Sequence, residues 1–382
     1  MPRESIQVAR DVLALCRDLG FALAGVADAT PSRWAAEFRA WLAAGKHGSM
    51  GYLARNAEER LDPGRILPGA RSVVMVADRY ATRGENAPAG PGGPEAASPP
   101  RGRIARYARG KDYHVVIKQR LHALCDALRE RFPGDEFRAF VDTAPVLERE
   151  LAARAGMGWV GKHTLLIHPR QGSWMLLGGV LTTLELEPPA EQKPVADHCG
   201  TCTRCIDACP TDAITPYSVD ASRCISYLTI ERRGPIDPVF HEAIGEWLFG
   251  CDVCQEVCPH NGGKAAKLPA AAGELRSKAT NQEELAQIRD EYRAERDSFD
   301  LLEVLGWTAA DRSRELSGSS MKRATLDMFR RNALIVLGND LRRRPDAALG
   351  SRVRRVSEDE SEPELVRRTA REAAARIPSR PG

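Results

Sequence analysis

Apolar positions follow two different periods along the first half of the chain. Between residues 111 and 132 they recur mostly at three- and four-residue spacing, which predicts a long amphipathic helix. Shorter apolar runs at 21–26, 72–77 and 137–141 predict strands. Because helices and strands alternate, the pattern predicts an α/β or α+β domain over residues 1–187. Further helices are predicted at 5–20, with Ser5 as its N-cap, at 32–44 and at 145–155.

Two further apolar segments, at 164–168 and 174–184, are predicted to be adjacent strands. The stretch 84–102 is different, because it is rich in Pro, Gly and Ala and has almost no periodicity. That composition predicts a surface loop.

The rest of the chain divides into two more predicted domains. Residues 188–265 begin with a proline-containing linker and form a cysteine-rich module. Residues 266–382 begin as a polar and basic stretch and return to apolar helical periodicity at 321–341 and 362–377. These segments predict paired helices of the kind found in HEAT-like repeats.

Eight of the ten cysteines lie between residues 199 and 258, at the spacing used by iron–sulfur proteins. The run from Cys199 to Pro210 reads C-x₂-C-x₂-C-x₃-C-P, which bacterial ferredoxins use to bind a [4Fe–4S] cluster. The run from Cys251 to Pro259 has three cysteines before its proline, and Cys224, between the runs, can supply the eighth thiol. Eight thiolates are enough for two clusters, so the spacing predicts an electron-transfer relay.

A crossed rule divides these cysteines into two sets, because in two-cluster ferredoxins the cysteine before the proline ligates the other cluster. A pair of structural zinc sites is the alternative, since C-x₂-C also binds zinc. Zinc does not require the third and fourth cysteines at these spacings, so the pattern favours two clusters. The first set is Cys199, Cys202, Cys205 and Cys258, and the second set is Cys209, Cys224, Cys251 and Cys254.

Composition and charge are those of a globular protein without a membrane segment. The chain has 382 residues, of which 43% are apolar and 28% charged, and a net charge of +3. The N-terminus lacks an apolar signal core, and no run of about 18 apolar residues occurs. We therefore expect a cytoplasmic protein whose thiols stay reduced. Cys16 and Cys125 lie in helical patterns and are expected to be small buried apolar residues.

Two further motifs each have a structural and a functional interpretation. Residues 156–161 match G-x-G-x-x-G, but a helix is predicted before them and a strand after them, the reverse of a dinucleotide-binding motif. A tight backbone turn is the better interpretation. Asp142 ends a predicted strand, where catalytic groups are common, yet it also precedes Pro145 and a predicted helix. From the residues alone, a helix cap is favoured over catalysis.

Basic residues are concentrated in three segments, although the whole chain is nearly neutral. Five of them lie within 101–111, Arg232 and Arg233 follow Cys224, and residues 321–382 contain 15 Lys and Arg against 9 Asp and Glu. A solvated helix face is the default interpretation of such runs. Three separate patches nevertheless indicate a polyanionic partner, of which nucleic acid is the commonest.

The motifs around these residues resemble those of the epoxyqueuosine reductases, a family related to corrinoid reductive dehalogenases. The resemblance extends from about residue 8 to residue 341. It rests on Cys224-Ile-Ser-Tyr, Gly250-Cys-Asp-Val-Cys-Gln-Glu-Val-Cys-Pro259, Arg106-Tyr-Ala-Arg-Gly-Lys-Asp-Tyr-His114, Val141-Asp-Thr-Ala-Pro145, Gly158-Trp-Val-Gly-Lys162 and Gly172-Ser-Trp.

The resemblance implies a reaction and a set of cofactors. The family removes the epoxide oxygen of epoxyqueuosine at the wobble position of tRNA, which completes queuosine. Electrons from a donor that the sequence does not identify would pass through two [4Fe–4S] clusters to cobalamin, bound base-off in the first domain. No membrane is involved, and a monomer is expected.

The resemblance also implies roles for individual residues. Asp142 matches the family's proposed general acid, which reverses the preference for a helix cap, and burial beneath the corrin is expected to raise its pKa. Arg232 and Arg233 are the candidates for binding tRNA. The candidates for contacting cobalamin are Arg60, Tyr107, Asp142, Leu166, Ser226 and Asp252.

Two other functions remain possible at this point. A dehalogenase-like corrinoid reductase would act on a small molecule, but such enzymes are usually exported and lack a basic tail. An electron carrier that serves another enzyme would leave the large first domain without a purpose.

Overall fold

The computed structural model describes residues 2–82, 99–261 and 287–377. Its strands are β1 (Leu23–Asp28), β2 (Ser72–Arg79), β3 (Arg101–Ile104), β4 (Phe137–Phe140), β5 (Trp159–Val160), β6 (Leu166–Ile167), β7 (Met175–Thr182), β8 (Ile214–Thr215), β9 (Ser218–Val219), β10 (Trp247–Phe249) and β11 (Ser298–Asp300). Its helices are α1 (Pro2–Asp18), α2 (Ala35–Ala43), α3 (Gly51–Arg55), α4 (Ala57–Leu61), α5 (Tyr113–Arg131), α6 (Glu148–Arg154), α7 (Arg204–Asp207), α8 (Ile225–Ile230), α9 (His241–Ile244), α10 (Val253–Glu256), α11 (Leu301–Gly306), α12 (Ala309–Glu315), α13 (Leu326–Arg343), α14 (Ala347–Glu358) and α15 (Glu364–Ala374).

A four-stranded antiparallel sheet organises the first domain, in the order β1-β2-β7-β4. Its two central strands are apolar on both faces, because each face is covered by helices. Helices α1 and α5 pack on one face, where Ile117 and Leu121 are fully buried. Helix α6 packs on the other face through Leu151. The mixed fold predicted from the alternating pattern is confirmed, and the antiparallel pairing makes this domain α+β.

Two local predictions are wrong. The segments at 164–168 and 174–184 are not adjacent strands, because β6 pairs with β5 while β7 pairs with β2 and β4. Apolar runs predict that strands exist, but they do not specify which strands pair. Ser5 does not cap α1 either, since this helix already begins at Pro2, and proline is well suited to the first turn.

The cysteine-rich segment and the C-terminal helices share one hydrophobic core. Residues of α8, β10, α11 and α13 are buried together in it, as are the last two helices. Strand β3 joins this core, pairing with β10 on one side and β11 on the other. The two predicted helices at 321–341 and 362–377 correspond to α13 and α15, whereas α14 between them was not predicted.

Part of the loop predicted at 84–102 lies outside the described residues. Its end is described, and there the prediction is wrong, because Arg101 and Gly102 belong to β3. Gly102 has a packing role in this strand, since a Cβ atom would lie 2.7 Å from the Leu248 side chain. Across the three described ranges, no helix is both long and apolar enough to cross a membrane.

A buried arginine, Arg331, joins α13 to the segment that follows Cys224. Arg331 is 0% exposed and donates hydrogen bonds to the carbonyl oxygens of Leu228 at 2.8 Å, Gly234 at 2.6 Å and Arg232. The adjacent Asn332 donates to the carbonyls of Thr229 and Leu248, each at 2.9 Å. Burial lowers the pKa of Arg331 to about 9. This cation therefore holds a loop and a helix end in place from within the core.

Replacing Arg331 with Met should destabilise the protein strongly. The change leaves three carbonyl groups without their buried donor, and we expect a loss of about 3 kcal/mol or more in the free energy of unfolding. Urea denaturation followed by circular dichroism measures this loss. Arg342→Met is the matched control on the same helix, because its partner Glu242 is 76% exposed. The control should change the free energy of unfolding by less than about 1 kcal/mol. Equal losses in both variants would contradict a stabilising role for the buried hydrogen bonds of Arg331.

Candidate active site and cysteine-rich centre

Four cysteines of the first set line one small cavity. Cys199, Cys202, Cys205 and Cys258 face it together with Ile167, and Cys205 and Cys258 are buried. Short helical turns, α7 and α10, follow the first cysteines of each run and turn the later ones back towards them. Residues that are distant in sequence are thus brought together in the grouping predicted by the crossed rule.

The four cysteines of the second set are also neighbours. Burial raises the pKa of the Cys251 thiol, and Cys224 and Cys209 act on it as charged neighbours. Burial likewise raises the pKa of Cys254, and among charged neighbours Cys251 and Cys224 have the largest effect on it. In the described ranges, no group of three or more His, Cys, Asp or Glu side chains is arranged to hold a single metal ion.

Asp142 does not cap a helix. Helix α6 begins at Glu148, and the residue before it, Leu147, makes no side-chain cap. Asp142 itself has a φ of 46°, in the left-handed region that non-glycine residues seldom occupy. Its own amide N–H donates to Glu148 Oε1. The capping interpretation is therefore wrong, and the side chain of Asp142 is available for another role.

The carboxylate of Asp142 belongs to a chain of hydrogen bonds. Its Oδ2 lies 3.0 Å from Nε2 of His114, and Nδ1 of His114 lies 2.7 Å from Oδ1 of Asp112. Asp112 caps α5 by accepting from the amide of His114, which fixes the start of the helix that carries the imidazole. The Tyr113 hydroxyl also donates to Asp142.

Burial and neighbouring charges shift the pKa values at this site in opposite directions. Burial lowers the pKa of His114, but the two carboxylates outweigh it and raise that pKa to about 9. Burial raises the pKa of Asp142, but the hydrogen bond and charge of His114 outweigh it, so the pKa lies below its ordinary value. The expected rise is therefore not found in the protein alone. Instead, burial and the charge of Asp142 raise the pKa of Glu148 to about 8.

Three predicted cobalamin contacts lie around this site. Tyr107 is half-buried, and the charges of Asp142 and Asp252 both act on it. Asp252 is 1% exposed, accepts from the amide of Arg106 at 2.8 Å, and has its pKa raised by burial to about 6. Arg60 is half-buried near Glu148 and Asp142. Its Nε is buried and has no hydrogen-bond partner among the residues that the structure describes.

The other two predicted contacts differ in what they can offer a ligand. Ser226 is half-buried at the start of α8, and its amide donates to the Cys224 thiol. Leu166 is 3% exposed, and its side chain packs in the core with Leu181, so only its backbone is suited to face a ligand. A separate surface cleft of about 640 Å³, lined by residues such as Asp28 and Arg154, contains none of the predicted site residues.

The predicted tRNA-binding arginines lie on a supported loop. Arg233 is exposed, whereas Arg232 is half-buried and donates to the Pro235 carbonyl at 3.2 Å. Glu231, which precedes them, forms a two-point salt bridge with Arg323 at 2.7 and 2.8 Å. The charges of Glu231 and Asp142 both act on Tyr52, so this loop and Asp142 lie near the same aromatic side chain.

Comparisons with known proteins agree with this site. Residues 60–143 match the family model described as Epoxyqueuosine reductase QueG, DUF1730, and residues 198–261 match the 4Fe-4S double cluster binding domain. The chain is 37% identical to an epoxyqueuosine reductase of Burkholderia pseudomallei, over 89% of this chain and 83% of that protein. It is 35% identical to the Pseudomonas aeruginosa enzyme, over 88% and 87% of the two chains. The chain belongs to the epoxyqueuosine reductase family.

A solved structure of an epoxyqueuosine reductase with an epoxyqueuosine-modified tRNA-Tyr stem loop has a similar fold. Its TM-score is 0.78 at 28% identity, and the match covers 98% of this chain and 91% of that one. This epoxyqueuosine reductase family member is thus an iron–sulfur oxidoreductase with a double-cluster domain.

Several residues of this epoxyqueuosine reductase family member had no predicted role. His114 has no functional signal of its own in the sequence, because its partner Asp142 lies 28 residues away. The motif Arg106–His114 was a usable signal, since it places Tyr107, Asp112 and His114 within nine residues. The raised pKa of Glu148 could not be predicted from the sequence, because it depends on the position of Asp142 in the folded protein.

Glu148 should make the stability of the protein depend on pH. Its pKa is about 8 in the folded protein and ordinarily 4.5, so the folded state binds the proton more tightly. Stability should therefore fall as the pH rises from 4.5 to about 8 and lose nothing more above that range. Glu148→Gln keeps the acceptor for the Asp142 amide but cannot ionise. Its stability relative to the wild type should rise across this window.

Urea denaturation on both sides of the window tests this dependence. Asp142, His114, Arg149 and Arg60 are charged groups that interact with Glu148, and all four remain in the variant. Glu130→Gln, at an exposed position on α5, is the matched control and should follow the wild type. A Glu148→Gln variant whose stability also stays parallel to the wild type would contradict the raised pKa.

Proposed function

We propose that this protein reduces the epoxide of epoxyqueuosine in tRNA, with electrons that pass through two [4Fe–4S] clusters to bound cobalamin. The observation that carries the proposal is the meeting of three elements. The hydrogen-bonded pair of Asp142 and His114 and the loop that carries Arg232 and Arg233 lie around Tyr52 and Tyr107, and Cys224 and Cys251 of the second set pack against the same core as Tyr107.

The reaction determines what the site must supply. Removing the epoxide oxygen breaks two carbon–oxygen bonds, forms a carbon–carbon double bond and releases water. It therefore consumes two electrons and two protons. Cobalamin reduced through the clusters would supply the electrons to the substrate carbon. The protons must come from the chain itself or from water that it orients.

His114 and Glu148 are suited to hold these protons, and Asp142, whose pKa lies below its ordinary value, is suited to relay one. His114, 3.0 Å from Oδ2, would pass a proton to Asp142, which would donate it to the epoxide oxygen. With a pKa of about 9, His114 is charged at neutral pH, and Asp112 keeps its ring oriented. Glu148 holds a further proton at neutral pH because its pKa is about 8.

The residues present fit both proposed cofactors. The eight cysteines divide into two groups of neighbours, as two clusters require. For cobalamin, the buried Nε of Arg60 is a donor that a ligand carboxamide or phosphate oxygen would satisfy. Tyr107, Asp252, Ser226 and the backbone at Leu166 would complete the contacts. The charge of Arg149 acts on both Cys224 and Asp142, so the second cysteine set and Asp142 share a charged neighbour.

A tRNA anticodon loop would bind next to this site. Arg232 and Arg233 would neutralise phosphates while the modified base lies unstacked near Tyr52. The α13–α15 helices, which we propose to be HEAT-like, would support the loop through Arg331 and Arg323. The family relative solved with an epoxyqueuosine-modified stem loop supports a tRNA substrate. On this proposal, residues 1–187, 188–265 and 266–382 hold cobalamin, the clusters and tRNA in turn.

Reconstitution tests the whole proposal. The protein is loaded with iron and sulfide, supplied with cobalamin and a chemical reductant, and incubated with tRNA that contains epoxyqueuosine. Nucleoside mass spectrometry should show conversion to queuosine. Unchanged epoxyqueuosine in a fully loaded protein would reject the proposal, and stoichiometric zinc instead of iron in the native protein would favour the zinc alternative. Conversion of an aryl halide instead of the nucleoside would favour the dehalogenase-like alternative.

Asp142→Asn should separate catalysis from cofactor binding. The amide keeps the size of the side chain but cannot donate a carboxylic proton, so we expect turnover to fall by about 10²–10⁴-fold. Iron content and the cobalamin spectrum should stay unchanged. Asp126→Asn, at an exposed position on α5, is the matched control and should keep full turnover. Normal turnover in Asp142→Asn would assign the proton donation to another group.

A further inference from the structure

The G-x-G-x-x-G segment at residues 156–161 lies against the first cysteine set. It follows α6 and leads into β5, so its order is the reverse of that in a dinucleotide-binding motif. Its glycines allow close packing on β6. A Cβ atom at Gly158, where φ is 151°, would lie 2.3 Å from the Ile167 carbonyl oxygen, and one at Gly161 would lie 2.4 Å from the Ile167 side chain. At Gly158, where the neighbour is backbone, only glycine permits this approach.

The close packing places an indole N–H on a cysteine. Trp159 is 3% exposed, and its Nε1 donates to Sγ of Cys199 across 3.5 Å. The rings of His198 and His260 contact the indole edge-on, with ring centroids 5.1 and 4.9 Å away. These contacts hold the ring in one orientation, so the N–H stays directed at the sulfur.

The same segment places a positive charge beside the cysteine loop. The ammonium group of Lys162 donates to the carbonyl oxygens of Gly200 at 2.7 Å and Cys202 at 3.0 Å. Lys162 is half-buried and lines the cavity of the first cysteine set. A flexible lysine is thereby fixed at the cavity that the four cysteines line.

We propose that Trp159 and Lys162 raise the reduction potential of the first cluster and so make it the acceptor for electrons that enter the protein. This inference rests on the proposed assignment of Cys199, Cys202, Cys205 and Cys258 to one cluster. Reduction adds a negative charge to the cluster. A hydrogen bond to a ligand sulfur and a nearby cation both stabilise that charge, and both raise the potential.

The position of the first set fits this role. The second set adjoins the catalytic site, because Cys224 and Cys251 pack against the same core as Tyr107, and a Cβ atom at Gly250 would lie 3.7 Å from the Tyr107 ring. Cys199 and Cys258 of the first set pack with Trp159 in a separate apolar cluster, and the exposed residues His198 and Thr201 flank the first set's cysteines. A raised potential there favours transfer from the external donor onto the protein.

A redox titration followed by electron paramagnetic resonance tests the proposal, on full-length protein loaded with iron and sulfide but without cobalamin or tRNA. Trp159→Phe removes the N–H and keeps an aromatic ring, and Lys162→Met removes the charge and keeps the chain length. In each variant the midpoint potential of one cluster should become more negative by about 59 mV. For one electron, this shift is a tenfold decrease in the equilibrium constant for reduction. The other midpoint should stay in place, and Lys162→Arg should restore most of the lost potential.

Matched controls are Trp34→Phe and Lys118→Met, which make the same changes at exposed positions of the first domain. Both should leave the two midpoints unchanged. If Trp159→Phe does not assemble both clusters, the Lys162 variants decide alone. Unchanged midpoints in loaded Lys162→Met, or equal shifts of both clusters, would overturn the proposal. The titration needs no substrate. If the midpoint potentials shift as expected but the protein does not reduce epoxyqueuosine in tRNA, the result would count against the proposed function and not against this inference.

Discussion

The packing of eight cysteine thiols into two neighbouring groups is the constraint on which the rest of the structure depends. Burial raises the pKa of Cys251 and Cys254, and their neighbouring thiols raise it further. Thiolates at such positions need a compensating positive charge, which the iron of the proposed clusters would supply. The surrounding elements come from both ends of the chain. Trp159 contacts the first set from the N-terminal domain, and Asn332 of α13 binds the carbonyl of Leu248, close to Cys251.

On the proposed function, this arrangement would bring electron transfer and proton transfer to one place. The proton-holding groups belong to the first domain, yet Arg149 links them electrostatically to Cys224. Asp142 has an unusual backbone conformation there, with a φ of 46°, and Glu148 and His114 hold it at two points. Strained conformations of this kind persist where the surrounding contacts determine them, and they are common at functional sites. The site is thus maintained by the contacts of a single aspartate with two helices.

The fold could be predicted in part, for reasons that differ between elements. Helix α5 and strands β1, β2 and β4 were predicted because each has a strong local apolar pattern. The strands that pair with β7 were not predicted, because strand pairing depends on contacts between distant segments. Asp142 was identified through its motif, but its cap interpretation failed since the helix begins six residues later, at Glu148.

The sequence by itself determined the chemistry that depends on short spacing. Three cysteines with two residues between each pair can surround one face of a cluster independently of the rest of the fold. The cluster motif can therefore be recognised without a structure. Only the tertiary structure decided the contacts that join distant residues. Trp159 and Cys199 are 40 residues apart, and Arg331 and Gly234 are 97 apart. Such contacts result from the packing of whole elements, for which neither residue's local sequence carries a signal.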